Sequence, residues 1–385
     1  MILRPIATTL LLAATAVALE RPTYTLPDAL VAFNGRRITT AEEWRTIRRP
    51  ELLAAFRDEV FGNAPIGRPA DLVFTVSETQ PGVQQVVASF SGPGGAGSFP
   101  FTIFLPPGTG RAPAVVLINH RKPGTEHDQM HEGYWSPQRL NARGWAAVLM
   151  NIDAIAPDLR ATCATKVMAV FPAPDADKAW GAVGAWAWGA SRVLDHLETH
   201  PRIDPARMTV VGQSRSARAS LWAAAQDERF AACLVNNAGQ WGTSPVAICQ
   251  AKFGTVGKGF GPYDGGWKYS YWMCRNLYKL HGDSTANFKI DFHELIALTA
   301  PRLVYISTAD KDPYTWVPAD FLGGLHADPV WRLFGQVGLA ATDMPAPDVV
   351  VHEGRIGYHN RAGEHDLTAV DWSRFLDFAE RRLKQ

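Results

Sequence analysis

Short apolar runs rich in β-branched residues alternate along this chain with longer stretches of helical periodicity. Ala114–Asn119 (AVVLIN), Trp145–Ile152, Arg207–Val211, Cys233–Asn237 and Arg302–Ser307 have the length and apolar continuity of strands buried on both faces. Between them, Ala179–His200, Ala219–Gln226 and His293–Leu298 read as helices, and Asp371–Leu383 closes the chain as an amphipathic helix. Strand alternating with helix predicts a mostly parallel sheet with helices on both faces, a three-layer α/β sandwich. Upstream, Leu72–Val76, Gln84–Ser91 and Phe99–Leu105, the last two joined by the Gly-rich Gly92–Gly97, predict an antiparallel edge. A helix over Ala41–Phe61 is expected to break at Pro50. Residues 240–290 are rich in Gly, Trp and Tyr, follow neither period, and read as an insertion over a site. Val349–Val351 is a short strand, followed by a loop through His365. No repeat or linker divides the chain, so residues 19–385 are expected to form one domain with an edge extension over about 19–110.

One junction adds chemistry to this pattern. Arg207–Val211 runs through Gly212-Gln213-Ser214-Arg215-Ser216 directly into a helix-forming stretch. Gly-x-Ser-x-small between strand and helix is the nucleophile elbow of an α/β-hydrolase, where small residues must flank a serine held on a strained turn. Gly212 and Ser216 are small, although the usual second glycine is missing. The alternative is a serine capping an ordinary helix. The strand, the helix and the Asp and His residues downstream favour the elbow. His120–Gly124, after the AVVLIN strand, stands where this fold supplies a second oxyanion amide.

Composition changes the picture little. The formal net charge is +1 and 19% of residues are charged, so no field points to nucleic acid as a partner. Thirteen tryptophans are many; most are expected in the core, with some free to stack on sugar. Arg4, the apolar Ile6–Leu12 and the small residues of Ala16-Val17-Ala18 read as a cleavable signal peptide over 1–18, which predicts an exported protein that does not span a membrane. Cys163, Cys233, Cys249 and Cys274 permit two disulfides in three connectivities, or four free thiols. No Cys-x-x-Cys spacing marks a metal site, and no cofactor is expected.

The residues around Ser214 carry a family resemblance. Gly-x-Ser-Arg followed by a basic residue at Arg218 resembles the Gly-x-Ser-Arg-x-Gly-Lys motif of glucuronoyl esterases, carbohydrate esterase family 15. The likeness continues through AWGAVGAWAWGASRVLDHLE, LWAAAQDERFA, LIALTAPRLVYIS and IGYHNRAGEHDLTAVDWSRFLDFA. It implies an esterase acting on esters between glucuronic acid of xylan and lignin alcohols; with the signal peptide it is expected to be secreted, and a monomer is expected. An acetyl or aryl esterase, and a carbohydrate-binding protein whose catalysis has lapsed, stand as rivals.

A serine hydrolase needs a base for the serine proton and a carboxylate that orients the base, in the chain order Ser, acid, His. His359 and His365 both lie in the final segment; the resemblance places the base at His365, while His352 reads as structural. One acid position holds Asn237, which carries no charge; the other offers Asp310 and Asp312, and spacing alone does not choose between them. The family's Asp-x-Trp pattern falls on Asp312-Pro313-Tyr314, which favours Asp312 and makes Tyr314 an aromatic substrate contact. Trp316 and Trp241 are counted with it. The resemblance gives Arg215 an oxyanion role, against the alternative of a surface ion pair. Arg218 stands where the family has a sugar-binding lysine, and its planar fork is not equivalent to an ammonium. No glutamate lies between Glu228 and Glu294, where the family has a sugar-binding one.

Overall fold

A computed structural model describes residues 22–122, 131–254, 269–281 and 289–383; the expected signal peptide, residues 123–130 and parts of the 240–290 insertion fall outside them. The described strands are β1 (Val73–Gln80), β2 (Val83–Gly92), β3 (Gly95–Phe104), β4 (Ala112–Asn119), β5 (Ala146–Asn151), β6 (Ile203–Gln213), β7 (Phe230–Asn236), β8 (Leu303–Ala309), β9 (Val350–Val351) and β10 (Ile356–Arg361). They form one sheet in the order β1-β2-β3-β5-β4-β6-β7-β8-β10-β9. From β5 to β10 every neighbouring pair is parallel. The β1–β2–β3 meander and its junction to β5 are antiparallel, as the upstream pattern predicts.

Alternation along the central strands divides the core in two. Val116 and Ile118 of β4 and Val210 of β6 point into a cluster with Trp186 of helix Ala182–Leu197, Leu221 of helix Arg215–Gln226 and Trp331 of helix Val317–Leu333. Val115, Leu117 and Val211 point the other way, against Trp372 and Phe375 of helix Ala369–Arg382. Both faces are therefore covered, and the carboxyl ends of the parallel strands are the edge left to loops.

Two expectations need correction, and one helix is unexpected. The 41–61 helix does not break at Pro50; its path continues from Ala41 to Phe61 through π-type turns at Trp44–Arg48 and Arg57–Phe61. Arg49 N–H reaches back to the Trp44 carbonyl, and Pro50, with no N–H to give, follows that widened turn without disrupting it. The segment before His365 is not all loop, because Ile356–Arg361 is strand β10, paired with β8 and buried throughout. Helix Val317–Leu333, with Gly323, Gly324 and Pro329 inside it, has no counterpart in the sequence pattern. All four cysteines are free and buried, so neither disulfide is formed.

Candidate active site

β6 delivers Ser214 at φ 56°, ψ −122°, a conformation rarely adopted by a side-chain-bearing residue. The turn is braced by Ser214 N–H donating to the Asn236 carbonyl at 2.8 Å. A Cβ on Gly212 would lie 2.1 Å from the Ser216 carbonyl oxygen, so the position accepts glycine alone. This steric fit marks the elbow as a strained turn and not a simple cap. Ser214 is only partly covered, whereas Ser216 is fully buried with its Oγ 3.1 Å from His120 Nδ1.

Two strands along the sheet, the loop after β8 carries Asp312, and the loop after β10 carries His365. Sheet register aligns Gln213, Asn236, Ser307 and His359 in one row, so the residues that follow them emerge at one edge. His365 Nδ1 lies 2.6 Å from Asp312 Oδ2. The carboxylate side chain has no exposure, while 17% of the imidazole side chain remains open. Asp312 Oδ1 accepts from Tyr314 N–H at 2.8 Å, which leaves both carboxylate oxygens engaged. No hydrogen bond joins Ser214 Oγ to His365 among the described residues; such bonds are often long until substrate arrives. Asp310 bonds elsewhere, its Oδ1 accepting from Gly363 N–H at 2.8 Å and so tying the acid loop to the histidine loop. Asn237, at φ 48°, donates to the Asp366 carbonyl at 3.0 Å and braces that same loop.

His359 sits inside the sheet. Its side chain is fully buried, with Nε2 2.9 Å from Asp371 Oδ1 and Nδ1 2.9 Å from the Tyr305 hydroxyl. His352 shares that hydroxyl at 3.0 Å. Burial, only partly offset by Asp371, holds the His359 imidazole below its ordinary range.

The cationic side is built by helix Arg215–Gln226. Arg215 Nη1 pairs with Asp158 Oδ2 at 2.5 Å, and Asp158 Oδ1 accepts from the Tyr271 hydroxyl and Trp272 Nε1, each at 2.7 Å. Arg218 is buried and donates from Nε to the Gln240 carbonyl at 3.1 Å. Burial, and next the neighbouring Arg215, pull Arg218 down to about 9, while Asp320 and Asp312 act in the opposite sense. Asp320 is buried beneath, bonded to Thr243 and Thr315, and burial pushes it up to about 6. Both guanidinium groups lie over the Trp272 ring, 5.2 and 5.4 Å from its centroid.

The expected aromatic contacts separate. Tyr314 is 66% exposed, with its ring edge-on to His365 at 5.0 Å. Trp316 lies between Phe253 and Lys252 at the start of helix Val317–Leu333. Trp241 is 2% exposed and packs against Phe292, so its ring belongs to the core and offers substrate no open face. Trp272, the ring beside the arginines, lies in the stretch whose sequence follows neither period. Sequence reasoning also misses Asp158, since nothing local marks a carboxylate that acts on a residue 57 positions away. Arg121 and His131 both reach Asp366, at 2.6 and 2.8 Å, and join the loop after β4 to the histidine loop.

Known proteins carry this architecture. A family sequence model described as "Glucuronyl esterase, fungi" matches residues 89–335. A carbohydrate esterase from an unknown prokaryotic organism is 30% identical over 402 residues, covering 94% of this chain and 90% of that protein. The 4-O-methyl-glucuronoyl methylesterase of Hypocrea jecorina is 27% identical, covering 73% of this chain and 56% of its own length. Among solved structures, a glucuronoyl esterase from Solibacter usitatus superposes with TM-score 0.81 at 28% identity, over 94% of this chain and 98% of that one. A family 15 glucuronoyl esterase from Teredinibacter turnerae gives 0.82 at 27% identity, over 96% and 92%. The chain belongs to the glucuronoyl esterase family, carbohydrate esterase family 15, and is a carboxylic ester hydrolase of the α/β-hydrolase fold.

Proposed function

We propose that this protein is an exported serine esterase that cleaves 4-O-methyl-glucuronoyl esters joining xylan to lignin alcohols. The observation that carries the mechanism is the His365–Asp312 pair at 2.6 Å, set at the same sheet edge as the strained Ser214. Ser214 Oγ attacks the ester carbonyl as His365 takes its proton, and Asp312 orients the imidazole and balances its charge. The Arg215 amide at the head of the elbow helix and its guanidinium, fixed by Asp158, supply positive potential where the carbonyl oxygen becomes an anion. When the tetrahedral intermediate collapses, His365 returns the proton to the departing alcohol. Water then releases the acid by the same steps.

Arg218, the exposed Tyr314 and the half-buried Trp316 lie where the sugar would be held. Export rests on the sequence pattern of the first 18 residues, and one continuous sheet supports reading 19–385 as a single domain. No described helix is long and apolar enough to cross a membrane.

The second reading, a less selective acetyl or aryl esterase, is favoured by two observations. The family's lysine is replaced by a buried Arg218, and no glutamate lies between Glu228 and Glu294. Parallel assays on benzyl glucuronate and an acetylated aryl substrate separate the two. Higher kcat/KM on the uronate ester supports the first reading; preference for the acetyl ester overturns it.

A further inference from the structure

We infer that His120 is a catalytic residue of this site, donating Nε2–H to the oxyanion formed when Ser214 attacks, and that Ser216 is a positioning residue that sets the required tautomer. This rests on the serine-esterase reading above. His120 lies in the loop that follows β4, is 8% exposed, and has one ring nitrogen occupied: Nδ1, 3.1 Å from Ser216 Oγ. Nε2 makes no hydrogen bond among the described residues.

Accounting for the protons fixes the tautomer. Ser216 is fully buried, and His120 is the partner of its hydroxyl. Were Nδ1–H the donor, the Ser216 proton would be left buried without an acceptor, which costs about 1–3 kcal/mol. With Ser216 donating to Nδ1, that proton is satisfied and the imidazole hydrogen must sit on Nε2. The ring is also kept neutral: burial first, then the charges of Arg215, Arg121 and His365, hold it well below the ordinary imidazole range. His120 begins the loop after β4 and Ser216 stands two residues after Ser214, so their contact sets the ring beside the elbow. A neutral imidazole N–H aimed at a developing alkoxide stabilises it without surrendering its proton.

The electron balance is that of ester hydrolysis. A bond forms from Ser214 Oγ to carbon, the carbonyl π pair moves to oxygen, and the serine proton passes to His365. On collapse that pair re-forms the carbonyl, the carbon–alkoxide bond breaks, and the proton leaves with the alcohol. His120 donates a hydrogen bond throughout and exchanges nothing. The sequence departure at position 216 thereby gains a use, since the glycine usual there could not hold the imidazole.

Two isosteres separate this role from a structural one. In His120→Asn the amide reaches only the Nδ1 position and can still meet Ser216; in His120→Gln it reaches the Nε2 position. His120→Asn should lose about 100-fold in kcat, the scale for one oxyanion donor, with KM within about threefold. His120→Gln should recover about tenfold of that loss, and Ser216→Ala, with the tautomer released, should lose about tenfold in kcat at unchanged KM. A structural role reverses the order, because Asn keeps the bond to Ser216 and Gln gives it up. Thermal melting checks that each variant folds, and if His120→Asn does not, Ser216→Ala decides: unchanged kcat overturns the inference. His120→Asn equal to or better than His120→Gln overturns it too. Ser214→Ala is assayed alongside. If it is inactive while His120→Asn matches wild type, only this inference fails; if it stays active, the serine mechanism fails and this inference with it.

Discussion

Two histidine–aspartate pairs lie six residues apart at one end of this sheet, and they differ in what surrounds the second ring nitrogen. His359 bonds Asp371 at 2.9 Å through one nitrogen and Tyr305 at 2.9 Å through the other, with neither side chain of the pair exposed. Asp371 also holds Arg361 and Thr368, so it is shared among three partners. His365 bonds Asp312 at 2.6 Å through Nδ1, its Nε2 makes no hydrogen bond among the described residues, and part of the ring stays exposed beside Tyr314. The same two residue types thus form a cross-brace in one place and, in the proposed mechanism, an acid–base pair in the other. A histidine can shuttle a proton only if one nitrogen is oriented and the other is free to meet the substrate.

Mutation should divide the pairs sharply. His365→Ala should lower kcat by about four orders of magnitude or more in a steady-state ester assay, with an unchanged melting temperature. Asp312→Asn should cost about two to four orders in kcat with a smaller change in KM. Asp310→Asn should cost far less, because the Asp310 carboxylate accepts from the Gly363 amide and not from the imidazole. If the two aspartates rank the other way, the acid is Asp310, and the distinction drawn between the loops fails.

His359→Leu should act on the fold. Leaving Asp371 and the Tyr305 hydroxyl buried without this partner should lower unfolding stability by about 3 kcal/mol in urea titrations, with kcat per folded molecule changed less than about threefold. A large kcat loss at unchanged stability would make His359 a participant. The pH dependence sharpens this further. Folded His359 resists protonation, so below the ordinary imidazole value of 6.5 the unfolded chain binds a proton that the folded chain refuses. Stability from this group is present at higher pH and falls as pH drops. The gap between wild type and His359→Leu should therefore narrow from pH 7.5 to pH 5.5; a widening gap would show that the folded imidazole gains the proton. The smallest effect is expected at Tyr314→Ala, about a fewfold in KM, since that ring is mostly in solvent.

How much is legible in the sequence follows from the range of each cause. The elbow can be read because its demand is local: a glycine two residues before the serine and a strand-to-helix switch around it. The parallel strands can be read because burial on both faces leaves apolar runs. β10 cannot, since Ile356–Arg361 ends in His-Asn-Arg, whose burial depends on Tyr305 and Asp371 from distant elements. Helix Val317–Leu333 is hidden by Gly323 and Gly324, which lower helix propensity but allow close approach; a Cβ on Gly323 would lie 1.9 Å from the Thr243 carbonyl oxygen. Arg215 is read from its neighbour Ser214, but the clamp that holds it, Asp158 with Tyr271 and Trp272, joins separate stretches. The choice of Asp312 over Asp310 comes from family resemblance, and the geometry adds a physical reason: only Asp312 reaches the imidazole.

The most direct measurement is covalent trapping with a serine-directed phosphonate, followed by mass mapping of the labelled peptide in wild type, His365→Ala and His359→Leu. A single adduct on Ser214 is expected, formed at the wild-type rate in folded His359→Leu and slowed by at least about a hundredfold in His365→Ala. An adduct on another serine, or equal labelling rates in the two histidine variants, would contradict the assignment of Ser214 and His365 as nucleophile and base.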